Sequence, residues 1–171
     1  DDPATMALGE NFYQFLPKTV FGGFRSAWRL ERKRLAADGL SVWSVRNAML
    51  WYVVSPFLIY IIPFGAILGI RGVCFFLAQS AIAVALLEQV NAMEHYGLQR
   101  HQLSDGTYET TGPQHSWDAP YTVSNRLMFM LQRHSDHHLH TGKRYQCLEL
   151  TPESPQLPAG YLALAPCLLI P

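Results

Sequence analysis

Charged side chains are scarce in this chain of 171 residues, of which Asp, Glu, Lys and Arg make up only 15%. Ordinary soluble domains carry about 25% charged residues. Thirteen basic residues balance thirteen acidic residues, so the formal net charge is zero. Because nucleic acids are bound largely through an excess of Lys and Arg, this balance argues against a nucleic-acid partner.

Cysteine is also scarce, and its arrangement excludes two kinds of structure. The three cysteines, Cys74, Cys147 and Cys167, are odd in number and widely spaced, unlike a disulfide framework or a zinc site. No secretory signal is visible in the first residues of this sequence, so we expect none in these 171 residues. The chain starts at Asp1 rather than Met and ends within an apolar run, so we expect it to be a piece of a longer protein.

Two long segments lack charge altogether. No charged residue occurs from Ala48 to Ile70, and the run from Val73 to Leu87 is also uncharged. About 20 apolar residues span the hydrocarbon core of a bilayer as a helix. The first segment reaches that length, which favours a membrane hairpin over the alternative of a buried hairpin in a soluble protein.

Basic residues predict the orientation of this hairpin. Seven precede the first span, whereas only Arg71 lies between the spans: Lys18, Arg25, Arg29, Arg32, Lys33, Arg34 and Arg46. Cytoplasmic flanks carry the excess of Lys and Arg, so both ends of the hairpin are expected to face the cytoplasm. Within the basic region, Thr19–Ala37 has the pattern of an amphipathic helix that lies on an anionic membrane surface.

These features predict an all-α, multi-pass membrane helical bundle with a cytoplasmic His-rich helical cap. Residues 1–46 are expected to form cytoplasmic or interfacial helices. Residues 47–93 should form the transmembrane hairpin, and residues 94–171 a cytoplasmic metal-site region. The chain would then supply two spans of one partial domain.

A cluster of imidazoles is the strongest functional signal. His134, His137 and His138 lie at helical spacings of i, i+3 and i+4, so they share one helix face. Neutral imidazole is the commonest metal-ligating side chain, which makes this face suited to a divalent metal. The alternative interpretation is a solvated, His-rich helix end.

A fourth candidate ligand, His95, directly follows the second apolar segment and stands beside Glu94. The polar, turn-rich stretch from Gln99 to Asn125 should fold the chain back on itself. A helix from about Val123 to Leu139 would then bring the His cluster beside His95. Three other histidines have loop-like surroundings and are expected to be solvated and outside the site: His101, His115 and His140.

The acidic residues indicate how such a site would be built. No Glu-x-x-His pair of the kind found in carboxylate-bridged di-iron bundles is present. The site should therefore be rich in imidazole nitrogen. Glu94, Asp118 and Asp136 are better placed to accept hydrogen bonds from imidazole N–H groups, which orients the rings.

Two segments resemble signature motifs of the integral-membrane alkane monooxygenases, which are non-haem di-iron alkane hydroxylases. They are Asn91-Ala-Met-Glu-His-Tyr-Gly-Leu98 and Leu131-Gln-Arg-His-Ser-Asp-His-His138. The sequence departs from the family pattern at Ala92, where tyrosine is usual, and at Asp118, where asparagine is frequent.

The resemblance implies a bacterial inner-membrane enzyme with six transmembrane helices. It would insert one oxygen atom from O2 at the terminal carbon of an alkane, with electrons from rubredoxin and rubredoxin reductase. His95, His134, His137 and His138 would bind two non-haem iron ions, and Glu94 and Asp136 would support these ligands. The remaining ligands and four spans would lie upstream of Asp1, so we predict that these residues alone are inactive.

Other interpretations remain open on the sequence. The chain could belong to a related enzyme, such as a xylene monooxygenase or a membrane fatty-acid desaturase. It could instead form a non-catalytic membrane module that uses its four histidines to hold zinc or copper. A structural membrane fragment with incidental histidines is a further alternative.

Overall fold

Helices form the regular secondary structure of residues 3–170, the range that the computed structural model describes. They are α1 (Phe12–Ala37), α2 (Ala48–Pro56), α3 (Ile62–His95), α4 (Thr122–Leu127), α5 (His134–Leu139) and α6 (Tyr161–Leu164). A π-helical segment, Phe57–Ile61, joins α2 to α3. No strand is present over this range, which contains only two isolated β-bridges. The predicted all-α class is therefore confirmed.

The chain divides into two compact units. One is Val20–Leu87, and the other combines the described residues up to Thr19 with those from Glu88 onward. The first unit contains the apolar segments. The second contains His95 and the later histidines.

The apolar segments of the first unit form a helical hairpin that reverses at Gly69. This residue lies within α3 but has φ 64° and ψ −157°, a conformation that essentially only glycine adopts. The rings of Tyr60 and Phe76 stack with their centroids 5.2 Å apart. An unbroken helix would separate residues 16 positions apart by about 24 Å, so the chain must turn back between them.

The stretch Ala48–His95 is long and apolar enough to cross a membrane, with a mean hydropathy of 2.2 over its most apolar 18-residue window, and no other stretch of residues 3–170 passes this test. None of its most apolar window is buried within the protein. The reversal at Gly69 divides the stretch into two limbs. Two polar side chains of the second limb are satisfied locally, since Ser80 Oγ and Gln79 Nε2 both donate to the Phe76 carbonyl.

Proline explains the π-helical segment in the first limb. Pro56 and Pro63 bracket Phe57–Ile61, and each lacks the N–H that an α-helix needs. The Ile62 N–H instead donates to the carbonyl of Phe57, five residues earlier. This wider turn keeps the limb helical between the two prolines.

Helix α1 begins earlier than the predicted Thr19 and ends at the predicted Ala37. The side-chain oxygen of Asn11 accepts a hydrogen bond from the Gln14 N–H at 3.0 Å, and the Gln14 side chain faces the Asn11 N–H at 3.4 Å. This reciprocal arrangement satisfies N–H groups that the helix start leaves open. It starts the helix immediately before the buried Phe12 and Phe15.

Two apolar clusters of the second unit hold the end of α3. Phe12 and Phe15 pack with Ala92 in one cluster, and Met93 packs with Ala119 and Tyr161 in the other. Ala92 and Met93 therefore bury two faces of the last turns of α3. Their burial fixes Glu94 and His95, which follow directly.

The predicted continuous helix from Val123 to Leu139 is wrong. The structure has two short helices, α4 and α5, separated by a turn in which Phe129 and Met130 have positive φ values of 50° and 58°. The Met130 N–H donates to the Asn125 carbonyl at 2.7 Å, which closes the turn.

Candidate metal centre

Three imidazoles meet at one point of the second unit. His95 comes from the end of α3, and His134 and His138 come from α5. Nε2 of His134 lies 3.2 Å from Nε2 of His95 and 2.8 Å from Nε2 of His138. One nitrogen from each of the three lies within 4.8 Å of the others, and no other such group of potential ligands occurs in the described part of the chain.

This geometry fits a metal ion better than a hydrogen-bond network. Nitrogen ligands that bind one ion at about 2.0–2.1 Å lie about 3 Å apart when they are neighbours. Nε2 of His134 can donate or accept only one hydrogen bond, so it cannot pair with both His95 and His138, and unsatisfied nitrogens remain. A divalent ion that accepts imidazole nitrogen, such as iron, zinc or copper, would satisfy them.

Burial keeps the central imidazole in its metal-binding form. The side chain of His134 is 7% exposed. Burial lowers its pKa to about 2, and the neighbouring His138, His95 and His137 contribute in the same direction. Burial also lowers the pKa of His138, which again faces other imidazoles. Both rings are therefore neutral at physiological pH, as metal ligation requires.

Glu94 lies behind His134, on the side away from the converging nitrogens. Its Oε1 is 3.3 Å from Nδ1 of His134, but neither atom has a hydrogen bond of good geometry to a described residue. Burial raises the pKa of Glu94 to about 8. Since His134 is neutral, the contact is not an ion pair. An Nδ1–H pointing toward Glu94 leaves the lone pair of Nε2 for the metal.

The ring of His95 is oriented by a contact at Nδ1, on the side opposite its converging Nε2. Its Nδ1 lies 3.4 Å from the backbone carbonyl of His115. The Gly112 N–H donates to Nδ1 of His115 at 2.9 Å, so Nε2 of His115 carries the proton and donates to Glu109 at 2.9 Å. His115 is 9% exposed, so the prediction that it is solvated is wrong. It lies outside the group of converging nitrogens, as predicted.

Trp117 closes the end of α3. Its backbone N–H donates to the Glu94 carbonyl at 2.9 Å, and its indole N–H donates to the Tyr96 carbonyl at 2.9 Å. The last carbonyls of a helix have no partner within the helix. Trp117 supplies two of the missing donors and thereby holds the turn that carries His95.

His137 is adjacent to the cluster but does not join it. The side chain is exposed, and its ring centroid lies 5.9 Å from those of His134 and His138. The structure therefore brings together three of the four histidines predicted as ligands. His137 is exposed on the same helix and lies outside this group.

The two aspartates near the cluster contact groups other than the converging imidazoles. Asp118 is fully buried and accepts from the backbone N–H and the hydroxyl of Ser135 at 2.9 and 2.8 Å. Asp136 accepts from Lys143 and His140, each at 2.7 Å. Burial alone would raise the pKa of Asp136, but its hydrogen bonds, with that from Lys143 foremost, lower it to about 2. Both carboxylates fix α5 in place.

An open cavity of about 1070 Å³ lies against the cluster, with His95, His134 and His138 in its wall. Lys18 and Tyr108 line it as well. The converging nitrogens are therefore accessible from one side.

One buried residue near the site, Tyr161, was not predicted. It is 1% exposed, and its hydroxyl faces Glu94. Its sequence context, an apolar run after a proline-rich stretch, gives no sign of this position.

The chain matches known proteins over nearly its whole length. The profile of a family described as fatty acid desaturase matches residues 1–165. Alkane 1-monooxygenase 2 of Pseudomonas aeruginosa is 42% identical over the whole chain, which covers 45% of that relative. Alkane 1-monooxygenase of Acinetobacter baylyi is 40% identical over the whole chain, which covers 42% of it.

A more distant relative is the xylene/toluene monooxygenase hydroxylase component XylM of Pseudomonas putida. It is 26% identical over 94% of the chain, which covers 42% of that protein. The chain thus spans less than half the length of these relatives. Its similarity to the alkane 1-monooxygenases is well above its similarity to the xylene enzyme. On the match of the family profile to residues 1–165, the chain belongs to the fatty acid desaturase family.

Proposed function

We propose that this chain supplies part of the metal centre of a membrane alkane 1-monooxygenase. Such an enzyme transfers one atom of O2 to the terminal carbon of an alkane and releases the other as water. The convergence of three imidazole nitrogens, from His95, His134 and His138, carries the proposal. The proposed substrate class, alkanes, is based on the 42% identity to alkane 1-monooxygenases over the whole chain.

Iron is the proposed metal, and the complete centre is proposed to hold two ions. His95, His134 and His138 would bind one of them. His137 is exposed on α5 and would bind the second, together with ligands proposed to lie upstream of Asp1. Iron would supply the O2 activation that oxidation of an unactivated C–H bond requires.

The residues around the histidines would hold them in position. Glu94 would accept the Nδ1–H of His134, and the His115 carbonyl would accept that of His95, so that both Nε2 atoms face the ion. Asp136 would contact no ligand directly. It would hold α5 in place through its hydrogen bonds with Lys143 and His140.

The apolar limbs on either side of Gly69 are proposed to cross the bacterial inner membrane as two spans. In this arrangement residues 1–46 lie on the cytoplasmic face, residues 47–93 form the hairpin, and residues 94–171 form a cytoplasmic cap. The exposed Phe21 and Phe24 of α1 would contact lipid. An alkane offers only apolar surface, worth about 0.8 kcal/mol per buried CH₂, so it would reach the site from the bilayer.

Electrons are proposed to come from rubredoxin, itself reduced by rubredoxin reductase. A site at the cytoplasmic end of the spans would be open to such a soluble donor. Since these residues supply only part of the proposed ligand set, we expect them to be inactive alone. Alkane oxidation by the isolated 171 residues, with rubredoxin and its reductase present, would contradict this expectation.

Product analysis tests the proposed reaction. Membranes containing the complete reading frame that includes this chain would be supplied with rubredoxin, its reductase, NADH and ¹⁸O2. We expect 1-octanol from octane, with one labelled oxygen atom, and no such product from His134→Ala. Oxidation of xylene but not octane would instead indicate a xylene-type enzyme. Metal binding without any O2-dependent product would indicate a non-catalytic metal-binding module.

A further inference from the structure

We infer that Tyr161 is a positioning residue for the metal centre, acting on His134 through the carboxyl of Glu94. The inference rests on the proposed binding of a metal by His134. It concerns a residue outside the histidine cluster and far from it in sequence.

The hydroxyl of Tyr161 is buried together with its ring. It is 1% exposed, and its ring packs with Met93 and Ala119 in an apolar cluster. A buried hydroxyl without a partner costs about 1–3 kcal/mol, which phenylalanine at this position would avoid. The hydroxyl faces the carboxyl of Glu94, but no described residue gives it a hydrogen bond of good geometry. Its position therefore points to an interaction with Glu94.

Three buried polar groups are linked pairwise, since Glu94 contacts His134 and also interacts with Tyr161. They are Nδ1 of His134, Oε1 of Glu94 and the hydroxyl of Tyr161, and none has a well-formed hydrogen bond to a described residue. Nδ1 and Oε1 are 3.3 Å apart, so a small movement would close the first contact. An ion on Nε2 makes the Nδ1–H of a ligating imidazole a stronger donor. The accepting carboxyl has further lone pairs, and the phenol is the donor that faces them.

The backbone next to Tyr161 is fixed by a residue of the histidine motif. Gln132 is fully buried, and its Oε1 accepts the Tyr161 N–H at 3.3 Å. Its Nε2 donates to the hydroxyl of Ser124 at 2.5 Å. A Cβ on Gly160 would lie 2.6 Å from Cβ of Ser124, so only glycine permits this close approach. The same motif that supplies His134 thereby places Tyr161.

Cobalt binding by the chain in detergent micelles tests the inference. Anaerobic titration with Co²⁺ gives an affinity, and the visible absorption of bound Co²⁺ reports the ligand geometry. Loss of an outer-shell partner typically weakens metal binding by about 10–100-fold, and Tyr161 lies one step further out. We therefore expect Tyr161→Phe to weaken Co²⁺ binding about tenfold and to shift the absorption bands.

Tyr121→Phe is the matched control. Tyr121 donates to the Pro158 carbonyl at 2.5 Å, so it anchors the same C-terminal segment without facing Glu94. Tyr121→Phe should leave the Co²⁺ affinity within about twofold of the wild type, since no ligand-orienting group is removed. Equal weakening by both variants would show a structural effect and overturn the inference.

A double-mutant cycle with Glu94→Gln tests the route of the effect. If Tyr161 acts through Glu94, Tyr161→Phe should have almost no further effect in the Glu94→Gln background. An undiminished effect there, or unchanged Co²⁺ binding by Tyr161→Phe alone, would overturn the inference while leaving the metal centre intact. Failure of the wild-type chain to bind Co²⁺ would overturn the proposed metal centre, and this inference with it.

Discussion

The backbone N–H of Trp117 donates a hydrogen bond to the carbonyl oxygen of Glu94 at 2.9 Å. The indole N–H of the same residue donates to the Tyr96 carbonyl at 2.9 Å. Together these bonds close the end of α3, at the turn that carries His95. The loop before α4 is thus attached to the helix end whose position decides whether the three imidazoles meet.

Replacing Trp117 by phenylalanine removes the indole donor and leaves the Tyr96 carbonyl without it. A typical hydrogen bond contributes about 1 kcal/mol net, so we expect a destabilisation of at least that size. Chemical denaturation in detergent measures it. Trp43→Phe is the control, because Trp43 is 77% exposed and its replacement should change stability by less than about 0.5 kcal/mol. Equal effects of the two substitutions would contradict the role given to Trp117.

His137 and His138 are adjacent in sequence but should differ in their effect on the first metal ion. Nε2 of His138 lies 2.8 Å from that of His134, whereas the ring of His137 lies 5.9 Å from that of His134 and outside the group of converging nitrogens. We expect His138→Ala to weaken Co²⁺ binding by more than about 100-fold, beyond the range of outer-shell residues. His137→Ala should change it by less than about threefold, since it removes no ligand of this ion. The reverse order in a Co²⁺ titration would contradict the three-nitrogen site.

Gly69 should be intolerant of a side chain although there is space for one. A Cβ at this position would meet no atom within 4 Å, so its cost comes from the backbone conformation alone. A residue forced into such a region costs about 1–3 kcal/mol, and Gly69→Ala should destabilise the hairpin by this amount.

Gly23→Ala is the control for this substitution. Gly23 lies within α1, has no positive φ, and a Cβ there also meets no atom within 4 Å. Alanine at a helical position is favoured over glycine by about 0.5–1 kcal/mol. The two substitutions should therefore change the unfolding free energy in opposite directions, and a stabilising Gly69→Ala would refute the reversal.

Acid should weaken the contact between α1 and α2. Hydrogen bonds from Arg34, and then from the Ala48 N–H, lower the pKa of Glu31 from 4.5 to about 2. Because the folded-state pKa is lowered, this stabilisation is fully present above pH 4.5 and is lost as the pH falls toward 2. The difference in melting temperature between wild type and Glu31→Gln should therefore shrink over this range.

Glu153→Gln serves as the control for acid sensitivity, because Glu153 is exposed in the C-terminal region. It should melt like the wild type at every pH. A difference between wild type and Glu31→Gln that stays constant from pH 7 to pH 3 would contradict the role of the carboxylate.

The helices that could be predicted from the sequence are those with a long apolar run or an amphipathic pattern. The all-α class followed from the uncharged runs and from the amphipathic pattern that ends at Ala37. The break between α4 and α5 was missed because Leu127 and Leu131 continue the helical spacing of His134. Leu127 is in fact 60% exposed, and the turn depends on backbone hydrogen bonds, which spacing does not reveal.

Sequence spacing could also predict part of the metal centre. Ligands that are close in sequence, such as His134 and His138, follow from helix geometry. The meeting of His95 with them was inferred from chain reversal and is present in the structure. The burial of His115 and Tyr161 depends on tertiary contacts, which neither the turn-rich segment around His115 nor the apolar run that begins at Tyr161 reveals.

Iron binding by the three converging imidazoles can be measured most directly by anaerobic Fe²⁺ titration of the chain, followed by X-ray absorption at the iron edge. We predict that the wild-type chain binds Fe²⁺ with imidazole scattering in its spectrum. His134→Ala, which removes the central ligand, should lose both the binding and the scattering. Absence of Fe²⁺ binding by the wild type, or an unchanged spectrum in His134→Ala, would contradict the metal centre.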